Sequence, residues 1–196
     1  MADIYLVGVG GQGIITASRI IGEAAMLSRM NVVLSETHGM AQRGGSVVCT
    51  ARIGDVSGPL ISDSRADVVL SFELLETLRA KCKTSKDTVV VASTERWIPL
   101  SVSTQKTTYP SVEDVRSQMS SISRRVLLID SRRIAEEAGV PISSNVVMIG
   151  ALAATGTTGI ERQTYEAAIE KTIARKIEEN RRAFTGGYDE AIKALE

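Results

Sequence analysis

Apolar runs of strand length alternate with helical repeats along the first part of the chain. The run at 4–10 (IYLVGVG) ends in glycines and predicts a central strand buried on both faces. Residues 13–28 carry apolar side chains at helical spacing, which predicts a helix covered on two sides. A second strand is predicted at 31–35. Residues 46–53 then alternate between apolar side chains (Val47, Cys49, Ala51 and Ile53) and a more polar set (Ser46, Val48, Thr50 and Arg52). This alternation predicts a strand with one apolar face and one more polar face.

The alternation of strands and helices continues beyond residue 60. Further strands are predicted at 66–72, 87–93 and 124–130, and further helices at 73–83, 111–121 and 131–139. The stretch 138–160 carries no charge, but it includes Pro141, Asn145 and several glycines, so we expect a buried helix and not a membrane span.

The tail has a different character, because charged residues surround its apolar positions. Tyr165, Ile169, Ile173 and Ile177 lie four residues apart and predict one amphipathic helix from about residue 161. A short final helix is predicted around 189–195, after the glycine pair at 186–187. The whole pattern predicts an α/β class: a Rossmann-like, mostly parallel sheet flanked by helices, with a helical C-terminal portion. No repeat or low-complexity linker divides the chain, so we expect a single domain over 1–196.

Composition removes several classes of protein. The chain has 23 Lys+Arg and 23 Asp+Glu, and this zero net charge argues against binding to nucleic acid or to an anionic membrane through a bulk field. Its two cysteines, Cys49 and Cys82, form no C-x-x-C pair, so we expect no iron–sulfur or zinc site, and no other metal site, built by this chain alone. An acidic residue near the start and the sparse cysteines indicate an unprocessed protein of the reducing cytoplasm.

A glycine loop follows the first predicted strand and opens the first predicted helix. It has the spacing G-x-G-x-x-G and comprises Gly8, Gly10, Gly11, Gln12 and Gly13. Such a loop offers free N–H groups to an anion, and Glu36 lies 23 residues beyond Gly13, where a dinucleotide enzyme holds a ribose hydroxyl. The loop alone therefore leaves two interpretations open: a cofactor-binding site, with NAD or FAD as ligand, or a purely structural turn.

A second polar segment argues against an independent dinucleotide enzyme. Glu36 runs into a loop and another strand, where a dinucleotide fold has a crossover helix. The segment carries a partner or active-site loop whose members are Glu36, His38, Gly39, Met40, Gln42, Arg43, Gly44, Gly45 and Ser46. Arg43 beside two glycines suits a phosphate, a carboxylate or a closely packed chain. The alternative is a loop packed under the sheet, with Arg43 paired to Glu36.

The two segments GVGGQGI and ETHGMAQRGGSV together resemble the gamma-type domain of the 2-oxoacid:ferredoxin oxidoreductases, and HGMAQRGGSV is most similar to its indolepyruvate branch. The resemblance continues through Tyr109-Pro110, Asn145 and Asn180, and so covers nearly the whole chain. It implies an enzyme subunit that helps oxidatively decarboxylate an aryl 2-oxoacid to acyl-CoA and CO2. It also implies a larger alpha subunit that holds thiamine diphosphate and iron–sulfur clusters, with CoA as cosubstrate and ferredoxin as electron acceptor.

The resemblance assigns no catalytic residue to this chain. We expect both loops to lie together at the strand ends and to form the subunit contact nearest the cofactor, with Arg43 supplying charge to an acidic group there. The sequence also allows two other functions: a free NAD- or FAD-dependent oxidoreductase, and a noncatalytic interaction module.

Overall fold

A computed structural model describes residues 1–38, 44–97 and 109–196 of the protein. The strands in these residues are β1 (Ala2–Val9), β2 (Val32–His38), β3 (Ser46–Ile53), β4 (Val68–Ser71), β5 (Val89–Ser93) and β6 (Arg125–Ile129). The helices are α1 (Ile14–Leu27), α2 (Leu74–Arg79), α3 (Val112–Ser120), α4 (Ser131–Glu137), α5 (Ser144–Ala154), α6 (Arg162–Thr172) and α7 (Ile177–Leu195), with 3-10 turns at Ala80–Lys83 and Pro141–Ser143.

The strands form one sheet in the order β2-β3-β1-β4-β5-β6. β1, β4, β5 and β6 pair in parallel, whereas β3 is antiparallel to both of its neighbours, β1 and β2. The predicted fold class is therefore confirmed. Among the described residues, the next element after β2 is the strand β3 and not a crossover helix, also as predicted.

β2 is longer than the sequence pattern predicts. The apolar run ends at Ser35, but the antiparallel ladder with β3 continues through the pairs Glu36 with Cys49 and His38 with Val47. Backbone hydrogen bonds to β3 thus keep polar residues in the extended conformation, where the side chains alone indicate a loop.

Two apolar clusters cover the opposite faces of the sheet, because successive side chains of a strand point to opposite sides. Ile4 and Leu6 of β1 belong to the larger cluster, which also contains α1, α5, α6 and α7. Val7 of the same strand belongs to the smaller cluster, which includes residues of α2 and α3. β1 is thus buried on both faces, as its apolar run predicts.

The uncharged stretch 138–160 contains α5, and residues Asn145–Ala153 of this helix are all buried. It packs against α1, α4, α6, α7 and β5, which confirms the prediction of a buried helix. Within the part of the chain that the structure describes, no helix combines the length and the apolar content that a bilayer span requires.

The prediction of one amphipathic helix from residue 161 is wrong. α6 ends at Thr172, and Lys176 adopts a left-handed conformation (φ 54°) before α7 begins at Ile177. Tyr165 and Ile169 are buried in the core, whereas Ile177 is 39% exposed. The turn at 173–176 lets the chain reverse onto α5, and a four-residue spacing of apolar side chains does not distinguish one helix from two.

The prediction of a separate final helix after the glycine pair is also wrong. α7 runs without interruption through Gly186 and Gly187. A Cβ atom on Gly187 would lie 2.0 Å from the carbonyl oxygen of Val147 in α5, and one on Gly150 of α5 would lie 2.0 Å from the carbonyl oxygen of Phe184 in α7. These glycines therefore serve the close approach of two helices and do not mark a helix end.

Candidate functional site

The carboxyl ends of β1 and β4 meet at the point where the chain connections diverge to opposite sides of the sheet. Ligand sites of open α/β sheets lie at such points. Here the side chain of Gln12 fills the space between the two strand ends. Its Oε1 accepts the N–H of Val9 (2.9 Å), and its Nε2 donates to the carbonyl of Phe72 (2.9 Å). Gln12 therefore fixes the glycine loop to the loop that follows β4.

Two glycines of the first loop are required by packing. A Cβ atom on Gly8 would lie 2.9 Å from Gln12 Oε1 and 3.0 Å from the Cβ of Phe72. Gly13 has φ 75°, and a Cβ there would lie 2.7 Å from Nδ2 of Asn145, which donates a hydrogen bond to the Gly13 carbonyl (3.2 Å). Packing and backbone conformation therefore explain why glycine occupies these two positions, and no ligand is needed to explain them. Gly11 (φ 110°) meets no atom within 4 Å and faces open space.

The described end of the second loop, residues 44–46, lies directly against the first loop. The Gly10 N–H donates to the carbonyl of Gly45 (2.9 Å), and the Gly44 N–H lies 3.5 Å from the carbonyl of Gly10. Ser46 Oγ donates to Glu76 Oε2 (2.7 Å). The parts of the two loops that the structure describes therefore lie together at the carboxyl end of β1, as the sequence analysis expects.

The remaining residues predicted in the second loop fall into two groups. Glu36 is exposed on β2, and His38 is the last residue of that strand. Gly39, Met40, Gln42 and Arg43 lie outside the described residues. Because β3 lies between β2 and β1, Glu36 is one strand farther from the glycine loop than the acidic residue of a dinucleotide fold. This geometry opposes the dinucleotide interpretation.

A buried carboxylate that the sequence analysis does not identify joins this edge of the sheet to two other segments. Glu73 is 1% exposed, and its Oε2 accepts the N–H groups of Leu75 (2.7 Å) and Glu76 (3.0 Å) at the start of α2. Its Oε1 accepts the N–H of Trp97 (3.0 Å) and the hydroxyl of Tyr109. Burial raises the pKa of Glu73, and the three backbone N–H groups oppose that rise.

A second buried carboxylate lies one helical turn further along α2. Glu76 accepts Ser46 Oγ on one oxygen and Arg79 Nη1 (2.6 Å) on the other. An acidic residue directly after a buried strand, followed by an apolar helix start, is a capping signal. That signal predicts the local role of Glu73 but not its contacts with Trp97 and Tyr109, which depend on the tertiary fold.

A cleft of about 170 Å³ opens beside these contacts at the carboxyl edge. Its walls include Gln12, Glu95, Trp97, Ser131 and Ile142. Burial raises the pKa of Glu95, while Arg132 and the Gln12 amide oppose the rise. Ile142 is 91% exposed and Trp97 is 45% exposed. The edge thus combines a carboxylate with apolar side chains that face solvent.

The two cysteines lie in different elements of the fold and differ in environment. Cys49 is buried in β3, where burial and the nearby Glu36 carboxylate raise its pKa to about 12, whereas Cys82 is exposed. In residues 1–38, 44–97 and 109–196, no group of three His, Cys, Asp or Glu side chains is arranged to hold a metal ion.

Comparison with known proteins relates this architecture to one family. The family described as pyruvate ferredoxin/flavodoxin oxidoreductase matches residues 3–190. This chain belongs to that family. Its sequence is 41% identical to indolepyruvate oxidoreductase subunit IorB of Archaeoglobus fulgidus, over 97% of this chain and 95% of the relative. It is 42% identical to the subunit of the same name from Methanothermobacter thermautotrophicus, over 98% of both chains.

A solved structure gives the same assignment of the fold. The pyruvate oxidoreductase subunit PORC of Thermotoga maritima superposes with a TM-score of 0.72 and is 26% identical, with 96% of this chain and 95% of that chain covered.

Proposed function

We propose that this chain is the beta subunit of an indolepyruvate:ferredoxin oxidoreductase. The complex would oxidatively decarboxylate aryl 2-oxoacids such as indolepyruvate to acyl-CoA and CO2 and pass the electrons to ferredoxin. The observation that carries this proposal is the identity of 41% and 42% to two subunits named for indolepyruvate, over nearly the full length of every chain. The reaction would serve aromatic amino acid catabolism in the cytoplasm.

The division of labour follows from the donor groups of the chain. Iron–sulfur clusters are held by sets of cysteine thiolates, and this sequence contains only two cysteines. Cys49 is buried in β3 and Cys82 is exposed in the 3-10 turn after α2, so the two thiols belong to different elements and form no set of cluster ligands. The chain does not fit a cluster, and we assign the clusters and thiamine diphosphate to a larger alpha subunit. CoA would act as the cosubstrate of the assembled complex.

The whole chain, 1–196, would form a single domain. The carboxyl edge of its sheet, which carries both loops, would face the alpha subunit. Hydrogen bonds between Gly10 and Gly44–Gly45 support a continuous surface, and the exposed side chains of Trp97 and Ile142 extend it. Large apolar side chains that face solvent in the free chain are typical of a protein interface. Arg43 would contribute a positive charge to an acidic group of the alpha subunit.

A capture experiment tests the assignment of function. The tagged chain is recovered from its native cytosol without oxygen, and the eluate is assayed with CoA, ferredoxin and each of indolepyruvate, pyruvate and 2-oxoglutarate. We expect a larger thiamine-dependent, iron-containing subunit to co-elute, with the highest kcat/KM for indolepyruvate. Preference for pyruvate or 2-oxoglutarate would contradict the substrate assignment, and NAD-dependent turnover by the chain alone would contradict the subunit role.

The role of Arg43 needs its own variant. Arg43→Ala should weaken ferredoxin reduction by the reconstituted complex without lowering the melting temperature of the chain. Arg175→Ala is the matched control, because Arg175 is exposed in the connection between α6 and α7. Equal turnover of the two variants would contradict the proposed role of Arg43 in the contact with the alpha subunit.

A further inference from the structure

Glu73 makes more contacts than a helix cap requires. A capping side chain normally accepts one or two N–H groups of its own helix, and Glu73 Oε2 already does so with Leu75 and Glu76. The other oxygen accepts from Trp97 and Tyr109, which lie 24 and 36 positions further along the chain. One buried carboxylate thus holds three separate segments of the chain.

The contacts of neighbouring backbone groups show what Glu73 is fixed to. The carbonyl of Phe72, the preceding residue, accepts the Gln12 amide of the glycine loop. The N–H of Leu74, the following residue, donates to the carbonyl of Glu95 (3.0 Å). Residues 72–74 therefore lie between the glycine loop and the segment after β5, and the Glu73 carboxylate completes this connection from the buried side.

Trp97 is the residue whose position depends most directly on this connection. Its N–H is bound to Glu73, while its side chain remains 45% exposed and lines the same cleft as Gly11 and Gln12. A large aromatic side chain that is held at its backbone and exposed at its ring is suited to a partner contact, because little conformational entropy is lost on binding.

We propose that Glu73 is a positioning residue that holds Trp97 and Tyr109 beside the glycine loop, so that Trp97 is presented to the alpha subunit as a fixed contact. This inference rests on the proposed function, in which that edge of the sheet faces the alpha subunit. It adds a specific side chain, Trp97, and the buried group that fixes it.

Two substitutions separate the positioning role from the capping role. Glu73→Asp keeps a good N-cap residue but shortens the side chain by one methylene, so the local hydrogen bonds survive and the distant ones do not. Tyr109→Phe removes one distant hydrogen bond and leaves the carboxylate intact. Tyr188→Phe on α7 is the matched control for the loss of a tyrosine hydroxyl.

The first measurement is the affinity between the full chain and the larger subunit that co-purifies with it, obtained by titration and independent of turnover. We expect Glu73→Asp and Tyr109→Phe to weaken binding by about tenfold, the loss typical of a buried hydrogen bond to a charged group. Ferredoxin reduction at saturating chain should keep the wild-type kcat. The Tyr188→Phe variant should bind like the wild type.

The second measurement uses Trp97 itself, which is the single tryptophan of the chain. Its fluorescence emission should shift to longer wavelength in both test variants and remain unchanged in Tyr188→Phe, with melting temperatures recorded to confirm folding. If Glu73→Asp does not fold, Tyr109→Phe carries the test. Wild-type affinity and wild-type emission in a folded Glu73→Asp variant, or in Tyr109→Phe where Glu73→Asp does not fold, would overturn the inference.

The affinity assay also keeps the inference distinguishable from the proposed function. If the wild-type complex assembles but does not oxidise aryl 2-oxoacids, the proposed substrate is wrong, and weaker binding by the two variants still supports the role of Glu73. If the wild-type chain does not bind the larger subunit, both proposals are overturned.

Discussion

Replacing Gly187 by alanine should destabilise the protein strongly, although alanine is the better helix former. The new Cβ atom would lie 2.0 Å from the carbonyl oxygen and 2.7 Å from the carbonyl carbon of Val147. Both atoms are backbone, so relief requires that α5 and α7 move apart by about 1 Å to reach the 3.0 Å below which real Cβ contacts essentially do not occur. A gap of that size forfeits much of the dispersion energy between the two helices.

The expected change in the free energy of unfolding of Gly187→Ala follows from two opposing effects. Overpacking of a buried contact costs about 3 kcal/mol at the upper end of its usual range, while the gain in helix propensity from glycine to alanine is about 1 kcal/mol. The net loss of about 2 kcal/mol in the free energy of unfolding corresponds to a melting temperature lower by roughly 4–8 °C for a chain of this length.

Gly186 provides the matched control, because it precedes Gly187 in the same helix. A Cβ atom there would lie 2.6 Å from the Cγ2 of Ile134, so relief requires movement of one side chain and not of a helix backbone. Urea denaturation should therefore place Gly186→Ala within about 1 kcal/mol of the wild type and Gly187→Ala clearly below both. Equal stabilities of the two variants would refute the packing explanation for the glycine pair.

Three further outcomes test the described contacts. Gln12→Ala leaves two buried backbone groups without their partner and should lower the free energy of unfolding, measured by urea denaturation, by about 1–3 kcal/mol. The control Gln163→Ala, on the exposed face of α6, should leave that free energy almost unchanged. Equal losses in the two variants would contradict the role of the Gln12 amide. The pKa of Glu95 is raised in the folded state, so its stabilising contribution is present below the ordinary value of 4.5 and is lost as the pH rises through the folded pKa. Glu95→Gln should remove this part of the pH dependence of the free energy of unfolding. If the free energies of unfolding of the variant and the wild type change in parallel with pH, this role of Glu95 is contradicted. A thiol reagent at pH 8 should modify Cys82 rapidly and Cys49 only after denaturation, and rapid reaction of both would contradict the burial of β3.

Much of the fold follows from local pattern. β3 has the bounds 46–53 that its sequence predicts, and burial alternates along it except at Thr50, which is also buried. The helix predicted from residue 111 begins there, because Ser111 and Asp114 form the reciprocal hydrogen bonds of a capping box. Both features depend on neighbouring residues alone, and for that reason sequence identifies them.

The errors arise where distant parts of the chain decide the local structure. The last residues of β2 are polar and remain extended because β3 pairs with them. A glycine pair such as Gly186–Gly187 is typical of a helix end, and only the close approach of Gly187 to α5 shows that it serves packing. For the same reason, sequence indicates that Glu73 caps a helix but not that it binds Trp97 and Tyr109. The glycine loop lies at the carboxyl end of β1, as its position in the sequence predicts, but the sequence does not indicate that the Gln12 side chain fills the space between the ends of β1 and β4.

An add-back titration tests the central claim, that this chain acts as a necessary subunit, most directly. The larger subunit is prepared without this chain, increasing amounts of the chain are added without oxygen, and ferredoxin reduction is followed with indolepyruvate and CoA. We predict negligible turnover by either component alone and a rate that rises to a plateau at a fixed molar ratio. Full turnover by the larger subunit without this chain, or no increase on its addition, would contradict the account.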